Sequence, residues 1–279
     1  MARITIRDLP DETHVALSEA ASENHRSTEG EIRYALQEYI ERLSNSRKVV
    51  NDSRRVVWQQ EVGERLQQLF TQLSEDEVLG YGHRHDVPQF ALMLKEESPA
   101  YLMDCMDGLE TPSFELLKRI ANQFSCSEGW LTSGVGSMFP MPSIGSRYEE
   151  FFHPAIESSD IEILLVRICG GRSDGTLMCF RIQKDNPYIA TGFIGEHFYL
   201  GAGMGATGHG NYNRFTEFLR SNCQNIRISV YNYEDAAKRW KGGEHHPNYY
   251  MSPSRISRAG WLLPLFNGED PSKINWVAA

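Results

Sequence analysis

Long apolar runs are what the 279 residues most clearly lack: no stretch approaches the ~18 consecutive apolar residues that a membrane-spanning helix requires. The amino terminus, MARITIRDLP, has no apolar segment ahead of a small-residue cleavage site, so no secretory leader and a cytoplasmic location are expected. Cysteine is scarce. The five thiols (Cys105, Cys126, Cys169, Cys179, Cys223) are odd in number, scattered and without a Cys-x-x-Cys pair, which argues against a disulfide framework and a structural zinc site. His83-x-His85 and His245-His246 have no cysteine or carboxylate beside them in a ligand pattern, so no metal is expected. There is no Gly-x-Ser-x-Gly nucleophile elbow, and no catalytic residue, cofactor or enzymatic activity is assigned.

Positive charge in excess is missing too. A net charge of −9 is unpromising for a nucleic-acid binder until it is mapped along the chain. Residues 1–55 hold 9 Lys/Arg against 10 Asp/Glu, residues 56–140 hold 5 against 13, and residues 141–279 hold 14 against 14. The acidic excess therefore sits in the middle segment, where it opposes phosphate contacts, and leaves the amino-terminal segment nearly neutral.

That segment opens with Arg3-Ile-Thr-Ile-Arg7, in which polar and apolar residues alternate with a period of two. A strand would place Ile4 and Ile6 on one face and Arg3, Thr5 and Arg7 on the other. Leu9-Pro10 ends it, and Asp11 is the expected N-cap of a helix to about Asn24, with Val15, Leu17, Ala20 and Ala21 as its apolar stripe. After a break at His25-Arg26, Ser27 is the expected cap of a second helix, whose apolar face is Ile32, Ala35, Leu36, Tyr39, Ile40 and Leu43. One strand and two helices are too few to bury a core alone, so a homodimer is implied. Pairing the strand with its symmetry mate would make a two-stranded ribbon of a size that fits the DNA major groove, with arginine able to chelate guanine. Free N–H groups at the start of the second helix would suit a phosphate.

These residues, A-R-I-T-I-R-D-L-P-D-E-T followed by H-R-S-T-E-G-E-I-R, resemble the Arc/CopG-type ribbon-helix-helix proteins, especially their antitoxin-like branch. The resemblance implies base reading by Arg3, Thr5 and Arg7, and phosphate anchoring by Ser27 and Thr28 with Arg26 nearby. It covers residues 1–45. Residues 46–57 read as a linker or a helix extension.

Residues 58–142 read as helical throughout, with helices expected near 58–73, 88–97, 99–107, 112–124 and 127–132. The run from Ser98 to Pro140 resembles the lambda-repressor-like helix-turn-helix domains. It shares the helix closing on Asp107-Gly108, the Thr111-Pro112-Ser113 cap, the Leu116, Leu117, Ile120, Ala121 stripe and the Gly129-Trp130-Leu131 helix with its glycine tail. In that family the helix at 99–107 enters the major groove. Here it carries Asp104 and Asp107, which would repel phosphates, so a dimerisation or docking role is expected instead. The competing expectation is DNA binding through Arg84, Lys95, Lys118 or Arg119.

Residues 143–279 mix expected strands (161–168, 177–182, 198–200, 226–231, 261–266) with expected helices (212–223, 233–241), giving an α/β or α+β domain for sensing or oligomerisation. Gly201-x-Gly203-x-x-Ala206, with Glu234 and Asp235 after the next strand, has most of a dinucleotide-binding spacing. Thr207-Gly-His-Gly210 is expected to delay the following helix, so the loop is read as one without a ligand. The whole is a multidomain protein: a ribbon-helix-helix module, an all-α helix-turn-helix-like domain and a carboxy-terminal α/β or α+β domain. Its expected function is sequence-specific repression at a double-stranded DNA operator, under a small-molecule effector or a protein partner. The alternative is an antitoxin-like protein that binds a toxin through its carboxy-terminal half and represses the shared operon.

Overall fold

A computed structural model describes residues 9–47, 53–80, 86–153, 160–235 and 240–276, with the chain dividing into two compact units, Met1–Val57 and Trp58–Ala279.

The first unit holds α1 (Asp11–Glu23) and α2 (Thr28–Arg47). Pro10, rather than Asp11, occupies the N-cap of α1, and its carbonyl accepts the N–H of His14 at 3.0 Å. Asp11 and Glu12 are left in the first turn, where the helix dipole favours them. The helix ends on His25, at φ 52°, with the N–H of Arg26 returning to the Ala21 carbonyl at 2.8 Å. Ala21 is buried, Leu17 and Ala20 are half-buried, and Val15 is exposed. On α2, among the described side chains of the apolar stripe only Ile32 is half-buried, while Leu36, Tyr39 and Ile40 are 44%, 58% and 56% exposed. The expected strand 3–7 lies outside the described residues.

The second unit begins within α3 (Arg54–Glu75) and continues through α4 (Val87–Met93), α5 (Ala100–Met106), α6 (Phe114–Gln123), α7 (Glu128–Ser133) and α8 (Tyr148–Phe152). Asp86, Ser113 and Ser127 each cap a helix by accepting the backbone N–H three residues on. Gly134 ends α7 at φ 71°, a left-handed conformation that glycine adopts without cost. Phe70 stacks on Phe90 at 4.6 Å, and Phe124 meets both edge-on. Gly63 lets α3 approach the end of α5, since a Cβ there would lie 2.9 Å from the carbonyls of Cys105 and Met106.

A five-stranded mixed sheet follows, built from β1 (Ile161–Cys169), β2 (Leu177–Gln183), β3 (Asn186–Ile194), β4 (Arg227–Glu234) and β5 (Ile256–Arg258). Interleaved with it are α9 (Ala206–Asn222), α10 (Pro247–Met251) and α11 (Leu262–Asn267). The strand order is β3-β2-β1-β4-β5, with only β1 and β4 parallel. The parallel pair needs a crossover, which α9 supplies between β3 and β4. One face packs Ile163, Leu165, Tyr212, Phe215 and Trp261, and the other packs Val166, Phe180, Tyr233 and Tyr250. Coverage on both faces explains why β1 reads as an almost unbroken apolar run.

Four local expectations change. Residues 261–266, expected as a strand, lead into α11, because a short apolar run fits either element and Leu262, Leu265 and Phe266 share a helical face against the core. Residues 198–200 are irregular, and the third strand is instead β3 at 186–194. Tyr233 and Glu234 complete β4 rather than start a helix. Finally, α9 starts directly at Ala206, so Thr207-Gly-His-Gly210 is helical and does not delay it.

Helices and sheet of the second unit are joined by buried polar contacts. The Asp76 carboxylate, its side chain 1% exposed, accepts from His245 Nδ1 at 2.7 Å, from the His246 N–H at 2.7 Å and from Gln72 Nε2 at 3.0 Å. The Ser125 hydroxyl accepts the N–H of Ile189 on β3 at 2.8 Å.

Candidate nucleic-acid interface

The connection between α1 and α2 is organised by one buried carboxylate. Glu31, 7% exposed, accepts from Asn24 Nδ2 at 3.1 Å and Arg26 Nη1 at 3.3 Å. The Arg26 guanidinium also lies 4.1 Å from the centre of the Tyr34 ring, while 41% of its side chain stays in solvent. Arg26 is therefore a brace of the turn that still presents part of a cation at the surface. Ser27 caps α2 as expected, its hydroxyl accepting the Gly30 N–H at 3.1 Å. Thr28 is the first residue of the helix and half-buried.

The first turn of α2 also holds two acids, which oppose a phosphate unless they are neutralised. Both are paired: Glu31 with Arg26, and Glu29 with Arg33 at 3.0 Å. The structure thus brings Arg26, Ser27 and Thr28 together at one helix start. Arg3, Thr5 and Arg7 lie outside the described residues. The brace by Glu31 was not legible beforehand, because no spacing rule links Asn24, Arg26 and Glu31 across a turn.

In the acidic middle segment, Asp104 is half-buried on α5 and Asp107 is exposed at its end. Arg119 is held by Glu96 and by the Leu94 carbonyl at 2.9 Å, so its charge is locally neutralised. Lys95 and Lys118 are exposed, and Arg84 and the pair His83, His85 lie outside the described residues.

The glycine loop is tied back to its own chain, beside a cavity of about 400 Å³ lined by Tyr199, Gly203 and Gly205 among others. The Tyr199 hydroxyl donates to the Ala202 carbonyl at 2.7 Å, and Arg167, 4% exposed on β1, donates from Nε to the Leu200 carbonyl at 2.8 Å. Strand β3, which precedes the loop, is an edge strand antiparallel to β2, unlike the parallel strand that opens a dinucleotide-binding unit. His246 is spent structurally: its Nδ1 accepts the Asn248 N–H at 3.1 Å and caps α10. Burial pushes its imidazole down to about 4, with Asp76 and the Phe124 carbonyl opposing that shift.

Among the described residues no helix is long and apolar enough to cross a membrane. No curated protein and no solved structure matches the chain. Residues 2–40, which take in the turn braced by Glu31 and the start of α2, match the family model described as antitoxin FitA-like, ribbon-helix-helix.

Proposed function

We propose that the protein is a sequence-specific DNA-binding regulator, a repressor, that works as a homodimer through a two-stranded β-ribbon. The observation that carries this reading is the exposed apolar face of α2, Leu36, Tyr39 and Ile40, in a segment that matches a ribbon-helix-helix family. A face of this kind on so small a unit calls for a second copy to bury it. In the dimer Arg3, Thr5 and Arg7 read bases, while Arg26, Ser27 and Thr28 hold the backbone phosphates. Residues 58–142 serve as a docking or dimerisation module of helix-turn-helix-like type, and residues 143–279 as a sensing domain.

Footprinting of the full-length protein across its own promoter tests the reading. Wild type is expected to protect a discrete site, and the Leu36→Glu, Tyr39→Glu double variant is expected to lose that protection. Specific protection by the double variant would sink the proposal.

A second reading is favoured by the description of the matched family as an antitoxin: the carboxy-terminal half binds a toxin and the ribbon represses the shared operon. Co-purification of a small protein in stoichiometric amount from the native host would favour it.

A further inference from the structure

The amino-terminal module is poor in cations for a DNA binder. Residues 1–45 hold 5 arginines (Arg3, Arg7, Arg26, Arg33, Arg42) and no lysine against 9 Asp/Glu, and residues 46–57 return 4 Lys/Arg against 1 Asp. Between positions 9 and 40 the sequence has Arg26 and Arg33 as its two Lys/Arg residues. Sequence-independent affinity for DNA comes from cations that neutralise phosphates. The state of these two arginines therefore decides how much of it α1 and α2 supply.

Both are paired with acids of α2, in different ways. The Glu29–Arg33 pair lies in solvent, with 83% and 74% of the two side chains exposed. A pair of this kind is weak, screened by salt and open to exchange with a phosphate. Glu31 is another matter. Its side chain is 10% exposed and is also held by Asn24 Nδ2 at 3.1 Å, so it cannot turn away from Arg26. The Arg26 guanidinium is fixed from a second side by the Tyr34 ring, yet part of the side chain still faces solvent. A phosphate that reaches Arg26 meets a cation whose charge is already answered by a carboxylate fixed 3.3 Å away.

The consequence differs on and off the operator. On the operator, base contacts by Arg3, Thr5 and Arg7 set the register of the duplex and deliver a phosphate to the N–H groups at the start of α2 and to Arg26 together. Off the operator no base contact holds that register, and only uncompensated charge draws the phosphates in. A fixed carboxylate on Arg26 weakens the second mode more than the first.

We propose that Glu31 is a specificity-determining residue: as a fixed competitor for Arg26, it holds down binding to DNA of the wrong sequence and leaves the phosphate anchor usable on the operator. The inference rests on reading residues 1–45 as the DNA-binding module.

Fluorescence anisotropy of the full-length protein over a series of salt concentrations tests it, with one duplex carrying the footprinted sequence and another of the same composition in scrambled order. Glu31→Gln keeps the shape and an acceptor for Asn24, and releases one cation per protomer. Its affinity for the scrambled duplex is expected to rise about tenfold at about 0.15 M salt, with a salt slope steeper by about 2 per dimer, while operator affinity rises less than about threefold. Loss of the fold would lower binding and cannot produce this gain. Glu29→Gln removes the same charge from the exposed pair and is expected to raise scrambled-duplex affinity less than about threefold. Should Glu31→Gln not fold, the double variant Arg26→Gln, Glu31→Gln removes both charges of the pair. It is expected to bind the scrambled duplex like wild type and the operator about fivefold more weakly. No rise on the scrambled duplex, an equal rise on both duplexes, or an equal rise with Glu29→Gln would overturn the role of Glu31, as would a double variant that loses scrambled-duplex binding as fully as operator binding. A wild-type protein that protects no discrete site in the footprint would instead overturn the DNA-binding reading itself.

Discussion

Replacing Asp76 by alanine removes the acceptor at which helices and sheet of the second unit meet. Three donors lose their partner: the His246 N–H, His245 Nδ1 and Gln72 Nε2. They are not equally exposed to the loss. His245 keeps 33% of its side chain in solvent and can turn to water, whereas His246 is 2% exposed and its N–H cannot. An orphaned buried donor costs about 1–3 kcal/mol and two further hydrogen bonds to the same carboxylate are lost, so a loss near ~3 kcal/mol is expected. For a unit of this size that corresponds to a fall in melting temperature of about 6–12 °C. All five tryptophans (Trp58, Trp130, Trp240, Trp261, Trp276) lie in the second unit, so tryptophan fluorescence during heating follows that unit alone. Asp76→Asn keeps the shape and one acceptor oxygen for the His246 N–H, and should lose about half as much. If alanine lowered the midpoint by less than about 2 °C, or asparagine proved worse than alanine, the reasoning would fail.

Three further outcomes are expected. Arg7→Ala should weaken operator binding by about 1–3 kcal/mol and relax the preference at one base pair, as read by fluorescence anisotropy on single-base operator variants; unchanged affinity would remove it from the reading surface. His246, depressed to about 4 in the fold, takes up its proton more readily when unfolded, so its contribution is complete above pH ~6.5 and is lost as pH falls toward 4. The loss should reach about 2 kcal/mol at pH 5, and His246→Gln should flatten the melting temperature between pH 5 and 7.5; an unchanged slope would point to other groups. Gly63→Ala sets a methyl against two backbone carbonyls that cannot move as a side chain tip would, and should cost about 1–3 kcal/mol in the same thermal assay, where a neutral result would contradict the close helix approach.

Much of the molecule was written in local pattern. Periodicity located α1 and α2, the Ser27, Ser113 and Ser127 caps placed α2, α6 and α7, and the apolar run at 161–168 marked β1. Arg26, Ser27 and Thr28 could be grouped at one helix start because they are neighbours in the chain. Scarce cysteine, the absence of long apolar runs and the uneven charge bounded the class of protein just as directly. Each of these signals is short in range, carried by residues within a turn or two of one another.

What only the tertiary structure decided joins residues far apart in the chain. Asp76 meets His245 and His246 across about 170 positions, and Glu31 gathers Asn24 and Arg26 across a turn that no spacing rule covers. Short apolar segments such as 261–266 suit a strand or a helix equally until the core they face is known. A cavity beside β4 exists because β4, β5 and α10 converge there, a consequence of sheet order and not of any motif. Composition and periodicity state which residues want burial or a partner. The identity of that partner is settled only when burial raises the cost of leaving a polar group alone.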